Sequence, residues 1–134
     1  MQRIPRRVFE RAQATAELAM VLPFMALMLG SVFVLGQAFV ETQMIAGAAN
    51  EAARTASFSH GKSNRDALAI SAGRNAAALG DSSFDAGAMS VAIAWPTSPG
   101  GKVRVTVTYP MELDFGVFEI DQTVTRTRSM RVIQ

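Results

Sequence analysis

The chain of 134 residues contains no cysteine. Disulfides, thiol nucleophiles and cysteine-ligated metals are therefore excluded. Histidine is nearly as scarce. His60 is the sole one and sits in a Ser-His-Gly turn, where a solvated loop residue is the expected role rather than a base or ligand. Tryptophan and tyrosine occur once each, as Trp95 and Tyr109, and are expected to anchor a core or an interface rather than form a binding site. No HExxH, GxSxG, P-loop or dinucleotide motif is present, and Glu112 and Asp114 have no triad partners in sequence, so an enzyme is not expected. Asp81 and Asp85 flank Ser82, Ser83 and Phe84, with too few ligands for firm calcium binding, and turn or capping roles are expected there. No metal, cofactor or small-molecule substrate is expected.

Charge is also missing over one long interval. From Leu18 to Val40 there are 23 residues without a single ionisable side chain. As a helix this run would span about 34 Å, enough for a bilayer core of about 30 Å. Glu17 stands at its mouth, and Arg3, Arg6, Arg7 and Arg11 precede it. A carboxylate at the edge of a membrane segment is unfavourable and signals a function. The formal charge of +2 resides in residues 1–17; the rest of the chain carries nine basic and nine acidic side chains. With no basic and aromatic stripe, nucleic acid is not an expected partner. The arginine asymmetry predicts a cytoplasmic N-terminus and an extracytoplasmic C-terminal domain, in periplasm or at the cell surface.

Four parts follow along the chain: a polar leader, a long helix, a short helix and a β region. Residues 1–12 read as a cytoplasmic leader, 13–40 as a transmembrane helix and 41–134 as an extracytoplasmic α+β domain. The first helix is predicted over 14–57, with Pro23 removing one backbone hydrogen bond and bending it. Its outer half repeats small residues, Ala48, Ala52 and Ala56 among them, and Ala26 and Gly30 are likewise four apart. That spacing lets helices approach closely. Helices of assembled subunits would pack through these residues, although for the alanine stripe from 48 to 56 plain helix propensity is the commoner cause than a filament seam. Gly61 is expected to break this helix. Ser63 or Asn64, with Asp66, resembles a capping box opening a second helix that stops at Gly80.

Alternation predicts strands over 90–95 and 102–109, with turn chemistry between them, and a third over 122–132. Val124, Met130 and Val132 would face inward on the third strand, but Arg126 and Arg128 fall on the same face. Either a bulge shifts the register or the arginine stems lie along the sheet with their heads in water. An αα-βββ order with an antiparallel three-stranded sheet is the expected architecture.

Arg11-Ala-Gln-Ala-Thr-Ala-Glu-Leu-Ala-Met-Val-Leu-Pro23, continued through Asn50-Glu-Ala-Ala-Arg54, resembles the TadE-like family of pseudopilins. Val103-Arg-Val-Thr-Val-Thr-Tyr-Pro110 is similar to the family's strand pattern. The resemblance implies a minor, pilin-like subunit of a tight adherence (Flp) pilus, within the type IV pilus and type II secretion-like systems. It implies cleavage by prepilin peptidase between Ala12 and Gln13, with Ala12 where the family more often has Gly. It also implies that Glu17, fifth after the cut, pairs with the free amine of a neighbouring subunit. Other pilin or pseudopilin subunits and the inner-membrane pilus platform are the implied partners.

Three other readings remain at the level of sequence. An uncleaved single-pass anchor or adaptor of the same platform needs no cut, and there Glu17 only favours the positive end of a helix dipole. A secretory signal cut after Gly36 and Ala38 fits a small-x-small rule, though its apolar stretch is longer than the usual 7–15 residues. A membrane-tethered binding module is the third.

Overall fold

A computed structural model describes residues 6–80, 84–98 and 100–133, without the side chains of 6–12 and 14. The elements are α1 (Arg6–Phe58), α2 (Arg65–Ala78), β1 (Ser90–Ala94), β2 (Lys102–Asp114) and β3 (Glu119–Arg131). The three strands form one antiparallel sheet in the order β1-β2-β3. The expected α+β architecture is the one found.

The helix α1 is 53 residues long and runs through Pro23 unbroken. It also begins earlier than the expected residue 14, because the leader is itself helical from Arg6. At the other end Ser59 closes the last turn with backbone bonds to Thr55 and Ala56, and the Ser57 hydroxyl donates to the Arg54 carbonyl. The helix therefore ends at Phe58, before Gly61.

One expectation about α2 is corrected. Asn64 is its N-cap residue, but no side chain caps the helix. Asp66 is engaged elsewhere: its carboxylate accepts the Trp95 indole N–H at 2.7 Å, a long-range bond in place of the local capping box. At the other end the helix stops at Ala78, with Leu79 as its right-handed cap, directly before Gly80 as expected. Gly80 also makes room for α1, since a Cβ there would lie 2.9 Å from Met44 Cγ.

The helices touch through small side chains. Ala69, Gly73 and Ala77 form the buried stripe of α2. A Cβ at Gly73 would meet the Ala52 methyl at 3.1 Å and the Ala48 carbonyl at 3.2 Å. Only a glycine permits that closeness without movement of the facing helix. The sheet supplies the bulk that the helices lack. Val103, Val105 and Val107 of β2 are fully buried, together with Ile45 of α1 and Met89 ahead of β1. Val91 and Ile93 sit opposite Val107 and Val105 and pack on the same cluster.

The strand β2 runs past its predicted end at 109, and β3 starts before its predicted 122 and ends at Arg131, one residue short of 132. Beyond Thr108 the partner strand β1 has ended, so β2 is an edge there and accommodates Pro110, which pairs with Thr123. The β2–β3 register runs from Lys102↔Arg131 to Asp114↔Glu119 without a bulge. The second option for the arginines is therefore the one used: Arg126 and Arg128 lie opposite Val107 and Val105 and remain exposed. The chain end is tied back to α1, with Val132 N–H donating to Gly101 and Ile133 N–H to Ser57. The sheet thus has one end at the C-terminus of α1. Its other end lies beside the helix near Leu35, Ala38 and Phe39.

Candidate functional site

The candidate site is the N-terminal half of α1, which leaves the folded domain behind. Its most apolar stretch has none of its surface buried in the chain. Met20 is 81% exposed and Leu29 71%. An exposed apolar surface of this length does not exist in water without a cover. Two hydroxyls in and just beyond the run bond back to the helix itself. The Ser31 hydroxyl donates to the Leu27 carbonyl at 2.8 Å and Thr42 to the Ala38 carbonyl at 2.8 Å. Back-bonding of this kind suits a helix whose surroundings offer no partners. Among the described residues one helix, near the N-terminus, is long and apolar enough to cross a membrane.

At the mouth of that run the Gln13 amide donates to the Glu17 carboxylate at 3.2 Å, one helical turn away. Both side chains are exposed. Glu17 is therefore held against the residue implied to become the new N-terminus. The Ala12 side chain lies outside the described residues, while the backbone through 12 and 13 is helical.

The residues expected to pack helices separate into two groups. Ala26 and Gly30 are exposed, and a Cβ at Gly30 would meet nothing within 4 Å, so this patch is open. Ala48, Ala52 and Ala56 are fully buried. The expectation that these three line a seam between subunits is corrected: α2 and the sheet already cover them, leaving no surface for a neighbour. A groove that sequence reasoning missed flanks the junction between the two groups, lined by Phe33, Gly36, Gln37, Val40 and Phe84. A Cβ at Gly36 would meet nothing within 4 Å, and nothing in the sequence placed the loop carrying Phe84 in the same groove.

The remaining candidate residues serve the fold. His60 is half-buried rather than solvated, edge-on to Trp95 with centroids 5.6 Å apart. Arg65 lies 4.2 Å over the same indole and donates to the His60 carbonyl. Trp95 thus anchors the turn between the helices to the end of β1. Tyr109 stacks on Phe84 at 4.5 Å. Burial, then the charges of Glu41 and Asp85, push its phenol above the ordinary value of 10.0. Asp81, Ser82 and Ser83 lie outside the described residues, whereas Asp85 accepts the Gly87 N–H at 2.8 Å in a turn. Among the described residues no group of three or more His, Asp or Glu side chains is placed to hold a metal ion.

Residues 12–54 match the family model described as TadE-like protein. The matched segment begins at the implied cut and covers the exposed run and most of the packed half of α1. It points to a membrane protein associated with the Tad pilus. No curated protein and no solved structure matches the chain.

Proposed function

We propose, from that match, that the chain is a minor pseudopilin: a structural subunit, not an enzyme, for assembly of a tight adherence pilus or a related secretion filament. Its N-terminus lies in the cytoplasm and its α+β domain outside the cytoplasmic membrane, as the arginine-rich leader favours. Prepilin peptidase removes residues 1–12 and frees the amine of Gln13. Glu17 then pairs with that amine on a neighbouring subunit. In a low-dielectric site such a pair sets register more than it adds stability, and removing one partner leaves the other stranded. The exposed helix, with its open patch at Ala26 and Gly30, packs among other pilin or pseudopilin helices and meets the inner-membrane platform. The observation that carries the reading is the Gln13–Glu17 contact at the edge of an uncovered apolar helix within the matched segment.

One observation favours a second reading, an uncleaved anchor or adaptor of the same platform. The backbone across Ala12 and Gln13 is helical. A peptidase acts on a segment that can open, so the cut requires the first two turns to unwind. The intact mass of the protein purified from its native membrane separates the readings. A chain beginning at Gln13 supports the pseudopilin. A full-length chain supports the anchor, and one beginning near Gln37 or Phe39 would indicate a secreted domain.

A further inference from the structure

The β2–β3 hairpin ends in an apolar tip that the fold does not cover. Val117 is 72% exposed, Phe118 58% and Ile120 44%. The tip is nonetheless well built. Gly116 adopts a positive φ of 75°, which glycine takes without strain. Its N–H donates to the Asp114 carboxylate at 2.7 Å, and the Phe115 N–H donates to the Phe118 carbonyl at 3.0 Å. The Phe115 and Phe118 rings stack with centroids 4.8 Å apart. This is a shaped apolar knob rather than a loose loop.

Its position decides what covers it. The strand β2 runs antiparallel to α1, since the Gly101 end is tied through the last strand's exit to Ser57. Met111 and Leu113 lie beside Leu35, Ala38 and Phe39. A strand advances about 3.3 Å per residue and a helix about 1.5 Å. The tip therefore lies about 7–10 Å past Leu113, at the level of helix residues near Ser31–Val34. That level is inside the uncharged run, which ends at Val40.

We infer that the hairpin tip inserts into the membrane leaflet on the side of the C-terminal domain, as a second lipid contact beside α1. The inference rests on the reading that α1 crosses the bilayer. The occupant is acyl chain and headgroup boundary because the tip continues the apolar surface of the helix, whose exposed Leu35 and Phe39 share a cleft with Leu113 just behind it. Charge sets the depth. Asp114 faces Glu119 and Glu112 faces Asp121 across the hairpin, just behind the tip. Carboxylates do not enter hydrocarbon, so they stay in the headgroup zone and only residues 115–118 go deeper. Two points of attachment, the helix and the tip, would fix the tilt of the domain on the membrane.

The absence of cysteine allows a direct test in the full-length protein. Val117→Cys, Leu29→Cys and Thr97→Cys are each labelled with an environment-sensitive fluorophore and reconstituted at low density into phosphatidylcholine vesicles. Some vesicles carry doxyl quenchers at shallow or deep positions on the acyl chain. The expected result is a blue-shifted label at 117, quenched at least two-fold more by the shallow than by the deep doxyl. The label at 29 should be quenched and the label at 97 untouched. A label at 117 no more quenched than that at 97, with 29 quenched, overturns the inference while leaving the membrane helix intact. A blue shift at 117 without lipid quenching overturns it in favour of contact with a second copy. An unquenched label at 29 overturns the membrane reading and the inference with it.

Discussion

Residues 18–40 and residues 41–58 belong to one helix, yet they follow opposite rules of side-chain size. The first segment carries Leu, Met, Phe and Val, almost all exposed. The second buries Ala48, Ala49, Ala52, Ala53 and Ala56 and one large residue, Ile45. The difference follows from what each half packs against. The outer half meets another helix at the closeness that Gly73 permits, so only small side chains fit. The membrane half meets its own chain only toward its outer end, near Phe84, Met111 and Leu113, so bulk is tolerated along the rest. A stripe of small residues is therefore ambiguous in sequence: it marks a close helix contact and does not say whether the partner is the same chain or another.

Substitutions matched across the two halves test that comparison. The largest expected difference is at Ile45. Ile45→Ala should destabilise the domain by about 2–5 kcal/mol in denaturant unfolding of the detergent-solubilised protein. Leu29→Ala should leave the same transition unmoved, and equal losses would break the distinction. Overpacking gives a smaller effect in the same direction. Ala52→Leu should cost about 1–3 kcal/mol, whereas Ala26→Leu should be neutral for domain unfolding and lower filament recovery instead. The Trp95 latch sharpens the limits of the packed half. Asp66→Ala removes the acceptor of the indole N–H and should cost about 1 kcal/mol, visible as a red-shifted Trp95 emission and a lower unfolding midpoint.

The smallest effect concerns pH. Burial and the charges around Tyr109 raise its folded-state value above 10.0. The folded chain therefore holds this proton where the unfolded chain has lost it. Its contribution is complete below about pH 10 and falls away as pH rises through the folded value. Tyr109→Phe should flatten this part of the alkaline stability profile, and an unchanged slope above pH 10 would exclude Tyr109 as the source.

The architecture was legible because its signals are periodic. Alternation in Val103, Val105 and Val107 and the uncharged run to Val40 each reflect one dominant environment. The failures lie where a tertiary contact outcompeted a local one. Asp66 satisfies Trp95 rather than the start of α2. Strand β2 outran Tyr109 because Pro110 is tolerated once β1 has ended, which no local pattern reveals. At the candidate site the sequence identified Gln13, Glu17, Ala26 and Gly30, all of them exposed, with Gln13 and Glu17 bonded to each other across one helical turn. It did not reveal the groove at Gly36 or the reach of the hairpin tip, since both depend on where distant segments return to α1.

The central claim is that Glu17 acts between subunits, and Glu17→Gln tests it most directly. The change is nearly isosteric and removes a charge from the membrane edge, so a carboxylate that merely tolerates its position should be neutral or better replaced. The measurement is the amount of filament or secreted cargo recovered from cells, with protein level, membrane insertion and the mass of the mature chain checked in parallel. The account predicts normal level, insertion and leader removal, with assembly weakened by about 1–3 kcal/mol per subunit contact as the neighbouring amine loses its charged partner. Wild-type recovery from a strain that expresses and processes the Glu17→Gln protein normally would contradict it and leave the uncleaved or unpaired anchor as the better description.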